Sequence, residues 1–296
     1  MTLELQTTSI GSIAAETIQT PDFRGTVTNI FPNSFYLKTM KGDVIFFTSN
    51  TTRSPITVNL ATNFSKIHPL EQFTSKAGHI DCADVLIHMK DAKIFHQQTI
   101  NTQRLNSQLS HVLEIGSFLL EIIDTSKSGL DESTLTHERI ANFIQSTILL
   151  LRIRSAHDEF YERAPTLVGL GSGFTPSGDD FLGGFLATYN TFATSLKRPR
   201  IVLSFDLLET KTNWISAKLL DCMQLRILDE EVTGLISSLT CADENQFTLN
   251  LESLASRGHT SGIDIITGVI IALSIISDAK YGTNLTTKIA EQFKML

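Results

Sequence analysis

The sequence predicts an α+β protein, with a small N-terminal antiparallel β barrel or sandwich followed by a mostly helical C-terminal domain. Three observations carry this prediction. Short β-branched and aromatic segments, separated by turn residues, fill the chain up to residue 95. From residue 102 onward, apolar residues recur at helical spacing. Two related Ser-Gly-x-Asp motifs then each open an apolar run. We place the two domains at residues 1–98 and 99–296.

The predicted strands of the N-terminal domain are short and regularly punctuated. A Pro-Asn turn and a Lys-Gly-Asp turn separate the first of them, because these residues favour tight turns. The strands are predicted at Gly25–Ile30, Ser34–Thr39, Asp43–Thr48, Ile56–Leu60 and Val85–His88.

The C-terminal domain shows helical periodicity instead. Apolar side chains spaced by three and four residues mark each segment, and Ser128-Gly129 ends the first of them. The predicted helices cover residues 105–128, Ser133–Ser155, Phe181–Phe192, Thr212–Gln224, Leu228–Leu239 and Leu249–Ser256, followed by a helix at the second motif and a terminal helix.

Composition excludes several functional classes. The formal net charge of −7 and the absence of a long basic run disfavour nucleic-acid binding. Three widely spaced cysteines without a Cys-x-x-Cys pair predict reduced thiols and a cytoplasmic protein. No signal peptide is visible. Asp264 and Gly268 interrupt the most apolar stretch, Ile263–Ile276, which we judge too short to span a bilayer, so no membrane partner is expected.

The most informative segment is Gly169–Gly184, with the sequence GLGSGFTPSGDDFLGG. It holds six glycines, which indicates sharp bends or a close approach of the backbone to a ligand. Known glycine-loop motifs do not fit it. It has no lysine for a P-loop, its glycine spacing breaks the dinucleotide fingerprint, and Thr175 replaces the first glycine of a nucleophile elbow.

The same pattern returns at Ser261, where SGIDIITG matches SGDDFLGG. The matched pairs are Ser177 with Ser261, Gly178 with Gly262, Asp180 with Asp264, and Gly184 with Gly268. Helix capping explains part of the pattern, with serine at the N-cap and aspartate at N3. It does not explain the glycines, which cost roughly 1 kcal/mol each inside a helix. We therefore expect the two helices to pack closely, or a ligand to touch their backbone.

An anion site shared by both motifs is the functional interpretation, since helix N-termini attract anions. His259, Asp180 and Asp179 are the candidate catalytic residues; a locally bonded loop histidine and helix-dipole complementation by the acids are the alternatives. Asp179 and Asp180 are also candidate Mg²⁺ ligands. Arg257 is the candidate guanidinium for a substrate carboxylate. The candidate anion-binding residues are Gly171, Ser172, Gly173, Thr175, Ser177, Gly178, Arg257, Thr260, Ser261, Gly262 and Asp264.

Other charged residues are weaker candidates. Arg152 and Arg154 could reach the anion site, although capping of the C-terminus of the preceding helix explains them equally well. Glu230 and Glu231 are interpreted as an exposed acidic start of a helix.

The two motifs resemble those of the oxamate carbamoyltransferase subunit AllH family. Gly169–Asp180 is similar to that family's first glycine run, with Phe174 in place of leucine, and Gly258–Gly262 to its second, with Thr260 in place of serine. The resemblance covers residues 167–272. It implies a subunit that acts beside two others in purine or allantoin catabolism, where a carbamoyl group moves between oxalurate and phosphate, giving oxamate and carbamoyl phosphate.

Three hypotheses follow. The chain is a carbamoyltransferase subunit that binds oxalurate, oxamate, phosphate or carbamoyl phosphate between the helix starts. Alternatively, it is a non-catalytic subunit that senses a metabolite or assists assembly through the same site. In the third hypothesis the glycines serve helix packing only and the protein is a scaffold.

Overall fold

The computed structural model describes residues 2–62, 67–76, 78–82, 84–102, 139–144, 157–241 and 243–292. The chain divides into two compact units. One contains residues 1–98 and 227–230, and the other contains residues 99–226 and 231–296. The predicted helix over 105–128 lies outside the described residues, as does most of Ser133–Ser155 with Arg152 and Arg154; residues 139–144 of that segment are helical.

The N-terminal unit is a closed eight-stranded β barrel, which confirms the predicted α+β class. Around the barrel the strands run β5-β4-β3-β2-β6-β7-β8-β1, and pairing of β1 with β5 closes it, while β9 adds to β1. The strands are β1 (Leu3–Gly11), β2 (Arg24–Phe31), β3 (Ser34–Thr39), β4 (Val44–Thr48), β5 (Thr57–Leu60), β6 (Gln72–Lys76), β7 (His79–Cys82), β8 (Val85–His88) and β9 (Lys93–Phe95). A short helix, α1 (Ser12–Ile18), follows β1.

Alternating side chains build the barrel interior. Phe35 and Leu37 on β3 are fully buried, and Tyr36 between them is half-buried and points to the other face. The Phe35 ring stacks on Phe47 and on Phe73, with centroids 4.6 and 5.7 Å apart. Such aromatic contacts between strands stabilise a small barrel beyond the area they bury.

Two barrel pairings differ from the predicted antiparallel arrangement, because β1 pairs with β8 and β4 pairs with β5 in parallel. The sequence interpretation also missed β1. This strand changes partners along its length: residues 3–6 pair with β8, and residues 9–11 pair with β9. A register shift between Thr7 and Ser9 accompanies the change.

The described part of the C-terminal unit is helical. Its elements are α2 (His157–Arg163), a 3-10 turn (Ala164–Thr166), α3 (Ser177–Phe192), α4 (Phe205–Lys211), α5 (Trp214–Gln224), α6 (Glu230–Cys241, whose first residue belongs to the N-terminal unit), α7 (Glu244–Ala255), α8 (Ser261–Tyr281) and α9 (Leu285–Gln292). The helices predicted at α3, α5, α6, α7, α8 and α9 are confirmed, with shifted ends. The short helix α4 was not predicted.

Helices α3 and α8 form the centre of this unit, and all of α3 is buried. Their glycines make reciprocal contacts. A Cβ on Gly184 would lie 2.1 Å from the Ile265 carbonyl oxygen, and a Cβ on Gly268 would lie 2.0 Å from that of Phe181. Each contacted carbonyl lies three residues before the other helix's glycine, so the two helices cross in an approximately two-fold manner. The predicted close approach of the helices is confirmed.

The prediction that the apolar stretch Ile263–Ile276 is too short to span a bilayer was wrong about its length. The stretch belongs to α8, a helix of 21 residues that is long and apolar enough, by length and composition alone, to cross a membrane. Most of its apolar surface is buried within the protein, since Gly262 to Ser277 are all buried. Asp264 and Gly268 do not interrupt the helix, because the Asp264 side chain is fully buried and Gly268 lies against α3.

Candidate functional site

The loop before α3 is shaped by three glycines at alternate positions. Gly169, Gly171 and Gly173 have φ values of +75°, +98° and +108°, which side-chain-bearing residues rarely adopt. Leu170 and Ser172, between them, have negative φ. Backbone that alternates in this way turns successive N–H groups toward one side and forms a concavity suited to anions.

This loop presents its amides to solvent. Gly171, Ser172 and Gly173 are exposed, whereas the chain is buried again from Pro176 onward. Within the described residues, the N–H groups of Gly171 and Gly173 donate no hydrogen bond to another residue. The loop therefore offers oriented donors at the start of a buried helix.

The serines of the two motifs do not cap their helices as the sequence predicted. Pro176 and Thr260 occupy the N-cap positions, so Ser177 and Ser261 are the first helical residues, and no side-chain cap hydrogen bond forms at either helix. The capping prediction was wrong by one residue. Consequently Asp180 and Asp264 lie deeper in their helices than N3, where their carboxylates serve other partners.

Asp179 binds the glycine loop to α5. Its Oδ1 accepts the Gly169 N–H at 2.7 Å, and its Oδ2 accepts the hydroxyls of Thr212 and Ser216, each at 2.6 Å. Burial raises the pKa of the Asp179 carboxyl, and these three donors oppose the shift. The carboxylate thus fixes the position of the loop and is enclosed by protein donors.

Asp180 instead connects the two motifs. Thr175 donates its hydroxyl proton to Asp180 Oδ2 at 2.9 Å, and Ser261 hydrogen-bonds the same carboxyl group. The hydroxyls of Thr175 and Ser261 also lie 3.0 Å apart, although 86 residues separate them in the chain. The two motifs therefore meet at one carboxyl group, which we call the Asp180 centre, defined by Asp180, Thr175 and Ser261.

The electrostatics of the Asp180 centre are unusual. Burial raises the pKa of Asp180 to about 7, the two hydroxyls lower it, and the charges of Asp264 and Asp179 raise it further. Asp264 is fully buried at the equivalent position of α8. An acid with this pKa changes protonation near neutral pH, which is the range in which proton transfer to a substrate is most effective.

The raised pKa of Asp180 gives a testable dependence of stability on pH. A carboxyl whose folded-state pKa lies above its unfolded value binds more protons when folded, so the free energy of unfolding falls as pH rises from about 4 to about 7. We expect thermal melting of the wild-type protein to show this fall and the Asp180→Asn variant to show a smaller one, to which Asp179, whose pKa burial also raises, still contributes. Equal slopes in the two proteins would contradict the raised pKa.

The remaining candidates occupy different surroundings. His259 is exposed two residues before Ser261, and Thr260 is half-buried between them. Arg257 donates from Nε to Glu231 Oε2 at 3.0 Å and also from a terminal nitrogen, and Ser253 donates to the same glutamate. The guanidinium predicted to bind substrate is thus already paired with a carboxylate. Glu230 and Glu231 do begin a helix, but both are bonded to arginines, Glu230 to Arg53.

The carboxylates do not fit the magnesium site considered from sequence. The oxygens of Asp179 accept three protein hydrogen bonds, and Asp180 is bonded to two hydroxyls. Within the residues that the structure describes, no group of three His, Cys, Asp or Glu side chains converges on one point. Mg²⁺ is usually held by one or two carboxylates together with waters and substrate phosphates. Because the oxygens of Asp179 and Asp180 already accept hydrogen bonds from the protein, no step below is routed through a metal.

Sequence reasoning missed the residues that support the loop from α5. Thr212 and Ser216 bind Asp179, and Asn213 caps α5 through Ser216 N–H while donating to the Phe174 carbonyl at 2.7 Å. Asn213 before an apolar run is a recognisable capping signal. Nothing in the sequence links these residues to a loop some 40 positions earlier.

Fold and site together define a protein with a β barrel and a helical unit, in which two repeated helix starts share one buried acid beside an exposed glycine loop. Residues 167–273 match the model of one protein family, described as oxamate carbamoyltransferase subunit AllH. The matched segment begins before the glycine loop and ends within α8, so it contains the whole Asp180 centre. The family resemblance predicted from the two motifs is confirmed. Searches of curated proteins and of solved structures gave no match.

Proposed function

We propose that this chain is a subunit of an oxamate carbamoyltransferase-type complex that transfers a carbamoyl group between oxalurate and phosphate. The observation that carries the proposal is the hydrogen bond between Thr175 and Ser261, whose hydroxyls both also bond the Asp180 carboxyl group. It joins two separate motifs beside exposed glycine amides, so donors for an anion and an acid for proton transfer lie in one place. The family match adds a role within a carbamoyltransferase complex.

The transfer of a carbamoyl group requires both hydrogen-bond donors that hold an anion and an acid that provides a proton. A phosphate oxygen attacks the carbamoyl carbon of oxalurate, and the bond from that carbon to the oxamate nitrogen breaks. The products are carbamoyl phosphate and oxamate. The departing nitrogen must take up one proton, and the attacking hydrogen phosphate gives up one, which restores the acid. Backbone N–H groups of Gly171 and Gly173 would hold the anionic oxygens and stabilise the charge that develops. The N–H groups of Gly178 and Gly262, predicted from sequence to bind the anion, instead donate to the carbonyl oxygens of Leu170 and Arg257, at 2.8 and 3.1 Å.

The Asp180 centre would supply the proton. Near neutral pH the Asp180 carboxyl is partly protonated, and the hydroxyls of Thr175 and Ser261 bond directly to it. In the reverse reaction the same carboxylate takes the proton back. His259, exposed close to Ser261 in sequence, is the second candidate for acid–base catalysis. Asp179 has a positioning role in this scheme, because it fixes Gly169 and with it the loop.

A non-catalytic role is the alternative. In that case the glycine loop and the Asp180 centre bind a metabolite such as oxamate or phosphate and transmit its presence to partner subunits. The exposure of Gly171 and Gly173 favours this second function as much as the first, since binding alone needs no proton transfer. A cytoplasmic location agrees with either.

A reconstituted complex with partner subunits separates the two functions. We expect carbamoyl phosphate to form from oxalurate and phosphate when this chain is present, and the rate to fall to background when it is omitted or replaced by the Ser261→Ala variant. Full activity with Ser261→Ala, together with unchanged amide signals of Gly171 and Gly173 on adding phosphate or oxamate, would reject both functions. Anion binding without any effect of Ser261→Ala on turnover would favour the alternative.

A further inference from the structure

Arg200 and Arg226 lie on two backbone segments that the buried side chain of Asn190 connects by hydrogen bonds. Asn190, near the C-terminal end of α3 and 1% exposed, bonds both backbone groups of Ile201, at 2.8 and 2.7 Å. Its amide also donates to the Gln224 carbonyl oxygen at 2.8 Å. Arg200 directly precedes Ile201, and Arg226 follows Gln224 by two residues. The starting points of both arginine side chains are therefore fixed relative to each other.

A second buried side-chain amide, that of Gln224, adds to the hydrogen bonds that connect these segments. Gln224, fully buried at the end of α5, accepts the Leu203 N–H and donates to the Leu203 carbonyl oxygen, both at 2.9 Å. The strand-like segment around Ile201 is thus bound by side-chain amides to α3 and α5. Fully satisfied buried amide networks of this kind rigidify the backbone they connect.

Arg226 occupies a conformation that suits glycine better. Its φ is +66°, directly after Leu225, the C-cap of α5, where a left-handed residue is usually glycine. Its Nε atom is buried and forms no hydrogen bond. A solvated helix end would not need an arginine here, because glycine would relieve the strained backbone and leave no unbonded donor.

Neither guanidinium is neutralised within the described part of the chain. Arg200 is exposed and forms no hydrogen bond or ion pair with a described residue, and Lys197 beside it is exposed as well. Burial lowers the pKa of Arg226, and the nearby positive charge of Arg200 lowers it further. A half-buried arginine with an unbonded Nε, beside a second arginine without a partner among the described residues, gains most from an anion with several acceptor oxygens. Attraction to the C-terminal dipoles of α3 and α5 explains a positive charge at this end, but not the buried, unbonded Nε.

We propose that Arg200 and Arg226 form a clamp for a phosphate group, separate from the glycine loop. A phosphate carries about two negative charges and three acceptor oxygens, which suits two guanidinium groups better than a monoanionic carboxylate does. The clamp lies away from the Asp180 centre, since Asn190 is ten residues, or roughly 15 Å, further along the same helix than Asp180. This proposal does not depend on the carbamoyl-transfer function.

Nuclear magnetic resonance of the full chain resolves the two sites. We expect inorganic phosphate to shift the Arg226 Nε–Hε signal in the wild-type protein, and the Arg200→Met variant to weaken that binding by about tenfold or more, the size of one charge-assisted hydrogen bond. Amide signals of Gly171 and Gly173 report the glycine loop independently. An Arg226 signal that does not respond to phosphate, or that responds equally to acetate, would overturn the proposal, whatever the glycine amides do.

The Arg226→Gly variant separates binding from folding. Glycine relieves the left-handed strain at this position, so we expect an unchanged or higher melting temperature together with loss of the phosphate response at Arg200. The matched control, Lys41→Gly, removes an exposed positive charge from a turn of the barrel and should leave the response intact. A variant that is stable and still binds phosphate like the wild type would show that Arg226 is not part of a clamp.

Discussion

Replacing Asp180 with asparagine is expected to lower the carbamoyl-transfer rate of the reconstituted complex by about 100-fold or more, the usual contribution of a general acid–base group. Asparagine has nearly the same shape and still accepts one hydroxyl hydrogen bond, but it cannot exchange a proton with Thr175 or Ser261. Because the variant no longer buries an ionisable group next to Asp264 and Asp179, its melting temperature at neutral pH should be unchanged or higher. The measurement pairs thermal melting with turnover.

The control for Asp180→Asn is Asp206→Asn, which removes a carboxylate from the first turn of α4. If first-turn acids act only through the helix dipole, both variants should lose a few tenths of a kcal/mol of stability, and complexes that contain them should show a normal carbamoyl-transfer rate. The Ser261→Ala and His259→Ala variants then test the hydroxyl that bonds Asp180 and the second candidate for acid–base catalysis. A folded Asp180→Asn variant with normal turnover would leave Asp180 as a structural residue and remove the acid from the proposed mechanism.

Adding a methyl group at the crossing of α3 and α8 is expected to have the largest effect on stability. In Gly268→Ala the new Cβ would lie 2.0 Å from the Phe181 carbonyl oxygen and 2.7 Å from the Phe185 nitrogen. Backbone atoms at these distances can move only if the two helices separate. Overpacking of this kind costs about 1–3 kcal/mol or more, against the gain of less than about 1 kcal/mol from higher helix propensity. Urea unfolding measures the net change.

Gly234→Ala in α6 is the matched control, because its Cβ would meet only the side chain of Asn250, at 3.0 Å. That side chain can give way, so the variant should be close to neutral. The free energy of unfolding of the Gly184→Ala/Gly268→Ala double variant should fall by less than the sum of the two single changes. Helices already separated by one methyl group accommodate the second more easily. Single variants as stable as the wild type would mean that the helices do not touch as described.

Much of the fold could be predicted because its signals are local. Strand β3 alternates buried and half-buried side chains along consecutive residues, and this period of two is visible in the sequence itself. Glycines at equivalent depths of two buried helices likewise indicated close packing, since the loss of helix propensity needs a compensating contact. Strand β1 was missed although its first half alternates in the same way, with Leu5 buried between exposed Glu4 and Gln6; the polar run Gln6-Thr7-Thr8-Ser9 lacks the apolar residues that mark a strand in sequence.

The sequence by itself determined that two glycine-bearing helices open at Ser177 and Ser261, that either close packing or a ligand accounts for their glycines, and that the segment around them resembles a known family. Only the tertiary structure decided what their polar residues do. Ser261 approaches Thr175 across 86 residues of chain, and Asp179 accepts hydroxyl protons from Thr212, between α4 and α5, and from Ser216 in α5. Local patterns encode capping and periodicity because these depend on neighbours within one turn. Burial, by contrast, raises the pKa of Asp180 and leaves the Arg226 Nε without a hydrogen bond only after distant segments have packed around them.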